Sequence, residues 1–166
     1  MGQADGKYWI ANNPNSEVTD TEAQKVEELS ATNISVAELN LLDDMVASVS
    51  FTVGREATEA ITVACQFKDA AGDDMTSARC LKAYLSADSA GQTAASSSGL
   101  TVTSGTDGLT QVSVDSNTIN MLWLTSEADG DVDVVITDAS GGTTTNYLNV
   151  IPPDGKIHTS GAITFA

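Results

Sequence analysis

The feature that most constrains this chain is a two-residue hydrophobic period that begins near residue 49 and recurs up to the C terminus. In residues 60–68, for example, the alternate positions Ile61, Val63, Cys65 and Phe67 are apolar, and the positions between them are small or polar. Successive side chains of a strand point to opposite faces, so this period predicts strands with one buried face. The abundance of Ala, Ser, Thr and Gly and the aromatic content of 5% are also typical of a β-rich chain rather than of a helical bundle.

The same alternation predicts nine strands, separated by Gly-rich or Asp-rich turns. They cover residues 49–53, 60–68, 79–87, 100–103, 110–114, 119–125, 132–138, 144–151 and 157–165. Many short strands at such intervals predict two packed antiparallel sheets. We therefore expect a mainly β protein: an N-terminal extended and short-helical attachment segment, residues 1–49, followed by an Ig-like antiparallel β-sandwich, residues 50–166.

The N-terminal segment contains two short helix-like stretches, at residues 21–30 and 36–46. Ser35 and Glu38 form a capping box at the start of the second stretch. A helix this short is marginal alone and needs a surface on which to bury its apolar stripe, whether from its own domain, a sister chain or another protein. The stripe consists of Val36, Leu39, Leu42 and either Met45 or Val46.

A small apolar cluster, Tyr8, Trp9 and Ile10, stands in the otherwise polar start of the chain. Two interpretations stay open: the cluster anchors the chain into another protein, or it packs on its own chain.

The two cysteines fall on opposite faces of their predicted strands. Cys65 shares the apolar face of residues 60–68, whereas Cys80 lies with Lys82 and Tyr84 opposite the apolar face of the next strand. A disulfide requires the two Cβ atoms to converge, so we expect two free thiols, as in a reducing cytoplasm.

The charge of the chain excludes several classes of partner. Seven basic and 23 acidic residues give a net charge of −16, which repels nucleic-acid phosphates and anionic membrane surfaces. No apolar run approaches the roughly 20 residues that cross a bilayer, and the first residues lack the features of a secretory signal. We expect no nucleic-acid partner and no membrane partner.

Acidic turns are the strongest candidates for a metal site, but the spacing of their residues does not match that of an EF-hand calcium loop. Glu127, Asp129, Asp131 and Asp133 alternate as in a calcium loop, yet Val134 stands where an EF-hand requires Gly. A solvated hairpin with outward acidic positions is the better interpretation. A second acidic turn at residues 69–74 is read in the same way, and we expect no metal and no cofactor.

Two further residues are of types that often form catalytic or sugar-binding sites. His158 has Thr159 and Ser160 beside it, but we interpret it as a surface histidine rather than part of a hydrolytic triad. Trp123 is interpreted as a core or sheet-packing residue rather than a sugar platform. We therefore expect no catalytic residue and no enzymatic activity.

Residues 31–48, ATNISVAELNLLDDMVAS, resemble the ELNLLDG-type element of tailed-bacteriophage fibre and head-attached proteins. Residues 38–43 match that element in order, and Asp44 stands where many of its examples have Gly. Residues 61–75, 124–137 and 150–166 are similar to a β-sandwich module of phage virion proteins.

The resemblance implies a virion structural protein of the head decoration or head fibre type, made in the bacterial cytoplasm and located on the capsid surface. It implies the major capsid protein as partner, bound through the N-terminal segment, with Tyr8, Trp9 and Ile10 as candidate contacts. Related proteins are often trimeric, so a homotrimer is expected, with Val36, Leu39, Leu42 and Val46 at its interface. The alternative is an adhesin or carbohydrate-binding module that contacts host-surface glycans.

Overall fold

The structure, a computed structural model, describes residues 45–95, 99–112 and 121–166. Ten strands form in this part of the chain, and their bounds follow the predicted alternation closely. They are β1 (Ser48–Val53), β2 (Ala60–Lys68), β3 (Cys80–Ser86), β4 (Leu100–Ser104), β5 (Leu109–Val112), β6 (Leu122–Thr125), β7 (Asp131–Asp138), β8 (Thr144–Ile151), β9 (His158–Thr159) and β10 (Ile163–Phe165).

The strands form two antiparallel sheets. The four-stranded sheet has the order β1-β2-β7-β4, and the six-stranded sheet has the order β10-β8-β3-β6-β5, with β9 also paired to β8. The order β1-β2-β7-β4 against β10-β8-β3 matches the A-B-E-D and G-F-C sheets of an immunoglobulin domain. Strands β5 and β6 lie between D and E in the chain and extend the second sheet beside C. The predicted Ig-like β-sandwich is therefore confirmed.

One buried core lies between the two sheets, because the apolar face of each strand points inward. Fully buried side chains come from both sheets; the largest include Phe67 and Ile61 of β2, Ile136 of β7, Leu85 of β3 and Leu148 of β8. Burying side chains of this size contributes roughly 1.5–3 kcal/mol each. This alternation is the physical reason why strand positions could be read from the sequence.

The core begins earlier than the predicted boundary at residue 50. Val46 is 2% exposed and Val49 is 8% exposed, and both belong to the core cluster. The amide of Ala47 donates to the carbonyl of Lys68 at 2.8 Å, which joins this stretch to the end of β2.

The last predicted strand, residues 157–165, is divided in two. Ser160 interrupts it: its amide donates to the Leu148 carbonyl at 2.8 Å, and its hydroxyl accepts from the Leu148 amide at 2.9 Å. Strand β9 therefore pairs with residues 149–150 of β8, and β10 pairs with residues 144–146.

A strained two-residue turn closes the β1–β2 hairpin. Thr58 and Glu59 have φ values of 53° and 62°, and the residues on either side, Ala57 and Ala60, exchange hydrogen bonds of 2.8 and 3.1 Å. Positive φ at both central residues defines a type I′ turn, which Asn-Gly fills best. Thr, a β-branched residue, is unfavourable there.

Candidate interaction surface

The outer face of the six-stranded sheet carries a row of side chains that crosses four strands, β5, β6, β3 and β8. The register places Gln111 opposite Trp123, Trp123 opposite Lys82, and Lys82 opposite Ile151. Because Val150 pairs with His158, continuing that register by one residue brings Ile157 opposite Ile151. The row therefore runs from β5 to the residue just before β9.

Four of the five large hydrophobic residues that are exposed in the described part of the chain lie on this face. Leu109 and Met121 occupy the rows on either side of Trp123, and Ile157 ends the central row. Together with the half-buried Ile151 they form what we call the outer apolar patch: Leu109, Met121, Trp123, Ile151 and Ile157.

Trp123 is 37% exposed and points away from the core, so the part of the prediction that placed it in the core is wrong. It packs on the sheet surface instead, where the Lys82 ammonium lies 5.3 Å from the centroid of its ring. This is the geometry of a cation–π contact. Leu122 and Leu124 take the inward positions of β6, which leaves Trp123 only the outer face.

Acidic residues are absent from the outward strand positions of the six-stranded sheet in the described part of the chain. In the described strands of this sheet, the outward positions carry Lys82 as their one charge and hold no Asp or Glu. The other sheet differs, since Asp131 and Asp133 of β7 lie on its outer face. The strand positions of the outer face thus carry no carboxylate, although Asp88 lies in the loop after β3 on the same face.

The loop after β3 covers the other half of this face. Asp88 organises the loop, because its carboxylate accepts from the amides of Ala90, Gln92 and Thr93. These hydrogen bonds lower the pKa of Asp88. The carbonyl of Gly91 accepts from the Tyr84 hydroxyl at 2.9 Å, which holds the loop against the sheet.

Asn149 is completely buried beneath this loop although it points outward from β8. Its side-chain amide donates to Ser86 Oγ at 2.7 Å, and its side-chain oxygen accepts from Thr159 Oγ1 at 2.8 Å. Because its polar atoms are satisfied within the chain, Asn149 supports the fold rather than a ligand site.

An acidic end lies where the turn between β6 and β7 meets the loop before β5. The pKa of Asp107 is raised, first by desolvation and then by the charges of Asp133, Glu127 and Asp129. Desolvation and the charges of Asp107, Asp133 and Asp129 likewise raise the pKa of Asp131. These carboxylates repel one another.

The interpretation of this acidic turn as a hairpin is wrong. β6 belongs to the six-stranded sheet and β7 to the four-stranded sheet, so the turn crosses between sheets. β7 is also a central strand, paired with β2 and β4, and its acidic residues therefore protect no edge. The alternation within each strand was predicted correctly. Which strands are neighbours, however, depends on contacts between residues that are far apart in the chain.

No group of three or more His, Cys, Asp or Glu residues within the described ranges is arranged to hold a metal ion. The nearest concavity is a shallow groove of about 470 Å³, lined by Gln66, Met75, Thr76 and Ala128 together with Asp74 and Asp129. Asp74 forms an ion pair with Lys68. Asp69 shapes the neighbouring turn, since its carboxylate accepts from the amides of Ala71 and Asp73.

His158 is half-buried in β9 rather than on the surface, and its Nε2 atom is buried without a hydrogen-bond partner. The nearby Ser160 hydroxyl donates to the carbonyl of Gly161 at 2.8 Å, so its proton is directed away from any base. These two residues do not have the arrangement of a nucleophile and its base.

The two cysteines are free, as predicted, with Cys65 buried and Cys80 exposed. Burial, followed by the charges of Asp133 and Asp131, raises the pKa of Cys65 far above its usual range. Cys80 lies on the outer face, one strand away from Trp123 and two residues before Lys82 in the chain.

The predicted partner residues Tyr8, Trp9 and Ile10 and the stripe residues Val36, Leu39 and Leu42 lie outside the described residues. Val46, the fourth stripe residue, is in the sandwich core, and Met45 beside it is exposed. The outer apolar patch was not predicted from the sequence. A signal was present, since residues 121–124 are apolar on both faces of the predicted strand.

No known protein family matches the sequence, and no curated protein matches it. Among solved structures, the chain is similar to the GAE domain of GGA2p from Saccharomyces cerevisiae, with 12% identity over 71% of this chain and 88% of that chain and a TM-score of 0.30. It is also similar to the yeast GGA1 GAE domain, with 14% identity over 74% of this chain and 99% of that chain and a TM-score of 0.27. No helix in the described residues is long and apolar enough to cross a membrane. The Ig-like fold follows from strand order and register alone.

Proposed function

We propose that this chain is a non-enzymatic structural protein of a tailed-phage virion that decorates and stabilises the capsid exterior. In this proposal the N-terminal segment, residues 1–49, binds the major capsid protein, and the acidic Ig-like domain is displayed outward. The observation that carries it is the ELNLLD match at residues 38–43, followed directly by an Ig-like sandwich that begins at Ser48.

The proposed mechanism is mechanical. A protein that bridges neighbouring capsid subunits stabilises the assembled shell, because any ligand that binds only the assembled state shifts the equilibrium toward it. A net charge of −16 keeps outward domains apart at high surface density. The acidic end formed by residues 107 and 127–133 adds to this repulsion, since its carboxylates concentrate negative charge at one end of the domain.

The proposed homotrimer assembles through Val36, Leu39 and Leu42, and mass photometry of the full chain tests it. We expect a species of three times 17.1 kDa, which Leu39→Asp dissociates. Ala37→Asp introduces the same charge away from the stripe and should leave the trimer intact. A monomeric wild-type chain would contradict the trimer.

Deletion of residues 1–30 tests attachment. The truncated chain should lose binding to phage particles, while its circular dichroism spectrum and melting temperature show that the sandwich remains folded. Binding at wild-type occupancy would refute the assignment of attachment to this segment.

The alternative function is glycan binding by a phage adhesin, and one observation favours it: Trp123 is exposed on a sheet surface beside Gln111. Against it, the Lys82 ammonium lies over the ring that a sugar would stack on. Saturable binding on a glycan array, lost in Trp123→Ala, would replace capsid decoration by this function.

A further inference from the structure

We propose that β1 is a pairing edge through which two copies of this chain join their four-stranded sheets, strand to strand and antiparallel, about a two-fold axis at Phe51. This inference is independent of the proposed function and of the N-terminal trimer. It rests on the free edge of β1, on the order of its residues and on the positions of the nearest charges.

β1 pairs with another described strand on one side only. It ends the four-stranded sheet, and its partner is β2. The amide of Gly54 donates to the Thr62 carbonyl at 2.8 Å, which fixes the phase of this ladder. Since the bonded pairs of an antiparallel ladder alternate, the even-numbered residues of β1 bond to β2. The amides and carbonyls of Val49, Phe51 and Val53 therefore point toward the free edge.

The sequence of β1 contains none of the usual features that protect an edge. Natural edge strands avoid pairing with other chains by being short, or through charged residues, Pro or bulges. β1 has six residues, SVSFTV, with no charge and no Pro, and its register with β2 is continuous. The end strands of the other sheet are shorter, with four residues in β5 and three in β10.

The residue types of β1 are the same in both directions from Phe51. Ser50 and Thr52 flank it, and Val49 and Val53 come next on either side. A two-fold axis at Phe51 places this residue opposite its own counterpart and Val49 opposite Val53 of the other copy. The hydroxyl side chains of Ser50 and Thr52 also become cross-strand neighbours. Aromatic pairs and Ser–Thr pairs are favourable across strands, so the order of residues selects a second copy as the occupant of the edge.

This register satisfies every free backbone group on the edge. The two Phe51 residues exchange two hydrogen bonds, and each pair of Val49 and Val53 exchanges two more, about six in all. A two-fold axis perpendicular to the sheet keeps the buried faces of both copies on the same side. Phe51 and Val53, which are only partly buried in one chain, therefore gain cover from the other copy.

The carboxylates on the outer face of this sheet lie far from the pairing edge. In the described strands they are Asp131 and Asp133 of β7, the second strand from β1. Across the joined sheets the two β7 strands are separated by five strand spacings, roughly 24 Å. Exposed charges separated by more than about 8–10 Å are largely screened at physiological salt. The net charge of −16 therefore does not oppose this mode of approach.

The ends of the pair are complementary in charge. The amide of Ala47 bonds to the last residue of β2, directly before the acidic turn at residues 69–74. The register brings Arg55 of one copy opposite Ala47 of the other, and so toward the carboxylates of that turn. Glu56 accepts a hydrogen bond from the amide of Ala166 in its own chain.

The association should be weak and should close at two copies. Pairing uses the free edge of both β1 strands, and the far edge of the sheet is partly covered, because the Thr110 amide donates to Ser104 Oγ of β4 at 2.7 Å. A strand of six residues spans roughly 20 Å, so the interface is much smaller than the approximately 800 Å² per partner of a standard one. We expect reversible pairing with a Kd above about 10 µM.

Disulfide trapping between two different variants tests the register. Ser50→Cys and Thr52→Cys are prepared as separate full chains, each with Cys80→Ser to remove the exposed native thiol. In the mixture the two introduced thiols face each other across a non-hydrogen-bonded pair with Cα atoms about 4.5 Å apart, which a disulfide can bridge. In either variant alone they lie on a diagonal of about 7–8 Å.

Oxidation of the mixture at about 200 µM should give a covalent species of twice 17.1 kDa on a denaturing gel. Its yield should exceed that of either variant alone by about tenfold. The gel counts only covalent links, so an N-terminal trimer does not change the readout. Thr101→Cys mixed with Thr103→Cys is the matched control, because both positions are exposed on β4 at the opposite edge of the same sheet, and it should give only background.

Val53→Pro, added to both trapping variants, removes an amide that β2 does not use. Pro is tolerated at such positions of an edge strand, so the far-UV circular dichroism spectrum should be kept while the yield falls about threefold or more. Protection of the wild-type Phe51 amide from hydrogen exchange should also rise between about 1 µM and 200 µM.

Three results would overturn the proposal. The first is a yield in the Ser50→Cys and Thr52→Cys mixture no higher than in the β4 control or in either variant alone. The second is a yield that Val53→Pro leaves unchanged. The third is protection of the Phe51 amide that is the same at both concentrations, because the edge is then either open or covered within one chain.

Discussion

The backbone amide of Phe67 donates a hydrogen bond of 2.9 Å to the carbonyl of Gly130, which joins the end of β2 to the turn before β7. Gly130 has a φ of 85°, and a Cβ atom there would lie 2.9 Å from Gln66 Nε2, Met75 Cβ and the Phe67 carbonyl oxygen. The approach of the turn to β2 therefore requires glycine.

We expect Gly130→Ala to lower the free energy of unfolding by about 2–4 kcal/mol, because it combines a left-handed backbone with overpacking. Chemical denaturation measures the loss. Gly141→Ala is the matched control, since Gly141 also has a positive φ but has open space around it. Equal losses in the two variants would contradict the close approach.

The double variant Thr58→Asn, Glu59→Gly should raise the free energy of unfolding by about 1–2 kcal/mol. Its residues suit the type I′ turn, which Thr and Glu occupy at a cost. Thermal unfolding checks this. Thr52→Asn, in the exposed part of β1, should give no gain because Asn is unfavourable in strands. A melting temperature at or below that of the wild type would disprove the strain at residues 58–59.

Asn149→Ala should lower the free energy of unfolding by about 2–3 kcal/mol, because it leaves Ser86 Oγ and Thr159 Oγ1 without their buried partner. Gln111→Ala, at an exposed position of the same sheet, should change stability by less than about 0.5 kcal/mol. Similar denaturation midpoints for the two variants would argue against a buried network beneath the loop.

Asp131→Asn should stabilise the protein at pH 7. The pKa of Asp131 is raised from 3.8 in the folded state, so this residue contributes to stability only at low pH, and that contribution is lost as the pH rises through the folded pKa. The gain should reach at most about 1 kcal/mol and disappear below pH 3.8. Melting temperatures of Asp131→Asn and of the control Asp73→Asn across this range test it. An equal gain for both variants would indicate an effect of net charge alone.

Native alkylation followed by mass spectrometry should modify one cysteine per chain. Cys80 is exposed and reacts, whereas Cys65 is buried with a raised pKa and should react only when the sandwich unfolds. Modification of both cysteines at comparable rates in the native protein would contradict the inward position of Cys65.

Most of the fold could be predicted from local pattern. The observed bounds of β2 and β8 coincide with the predicted ranges, and the faces of Cys65 and Cys80 follow from the parity of their strands. Parity is a property of each strand alone, because neighbouring side chains must point to opposite faces wherever the strand lies. The strain at Thr58 escaped prediction since neither residue of that turn is a usual turn former.

The amino-acid sequence by itself determined which residues form strands, which face of each strand is buried, and how the net charge limits the partners. Only the tertiary structure decided that β6 and β7 belong to different sheets, that Asn149 is buried beneath a loop, and that Trp123 shares one face with Leu109 and Ile157. The physical reason is that a hydrophobic period specifies the orientation of a side chain relative to its own strand. The neighbours of that side chain depend on strand order and register, which are set by contacts between residues far apart in the chain.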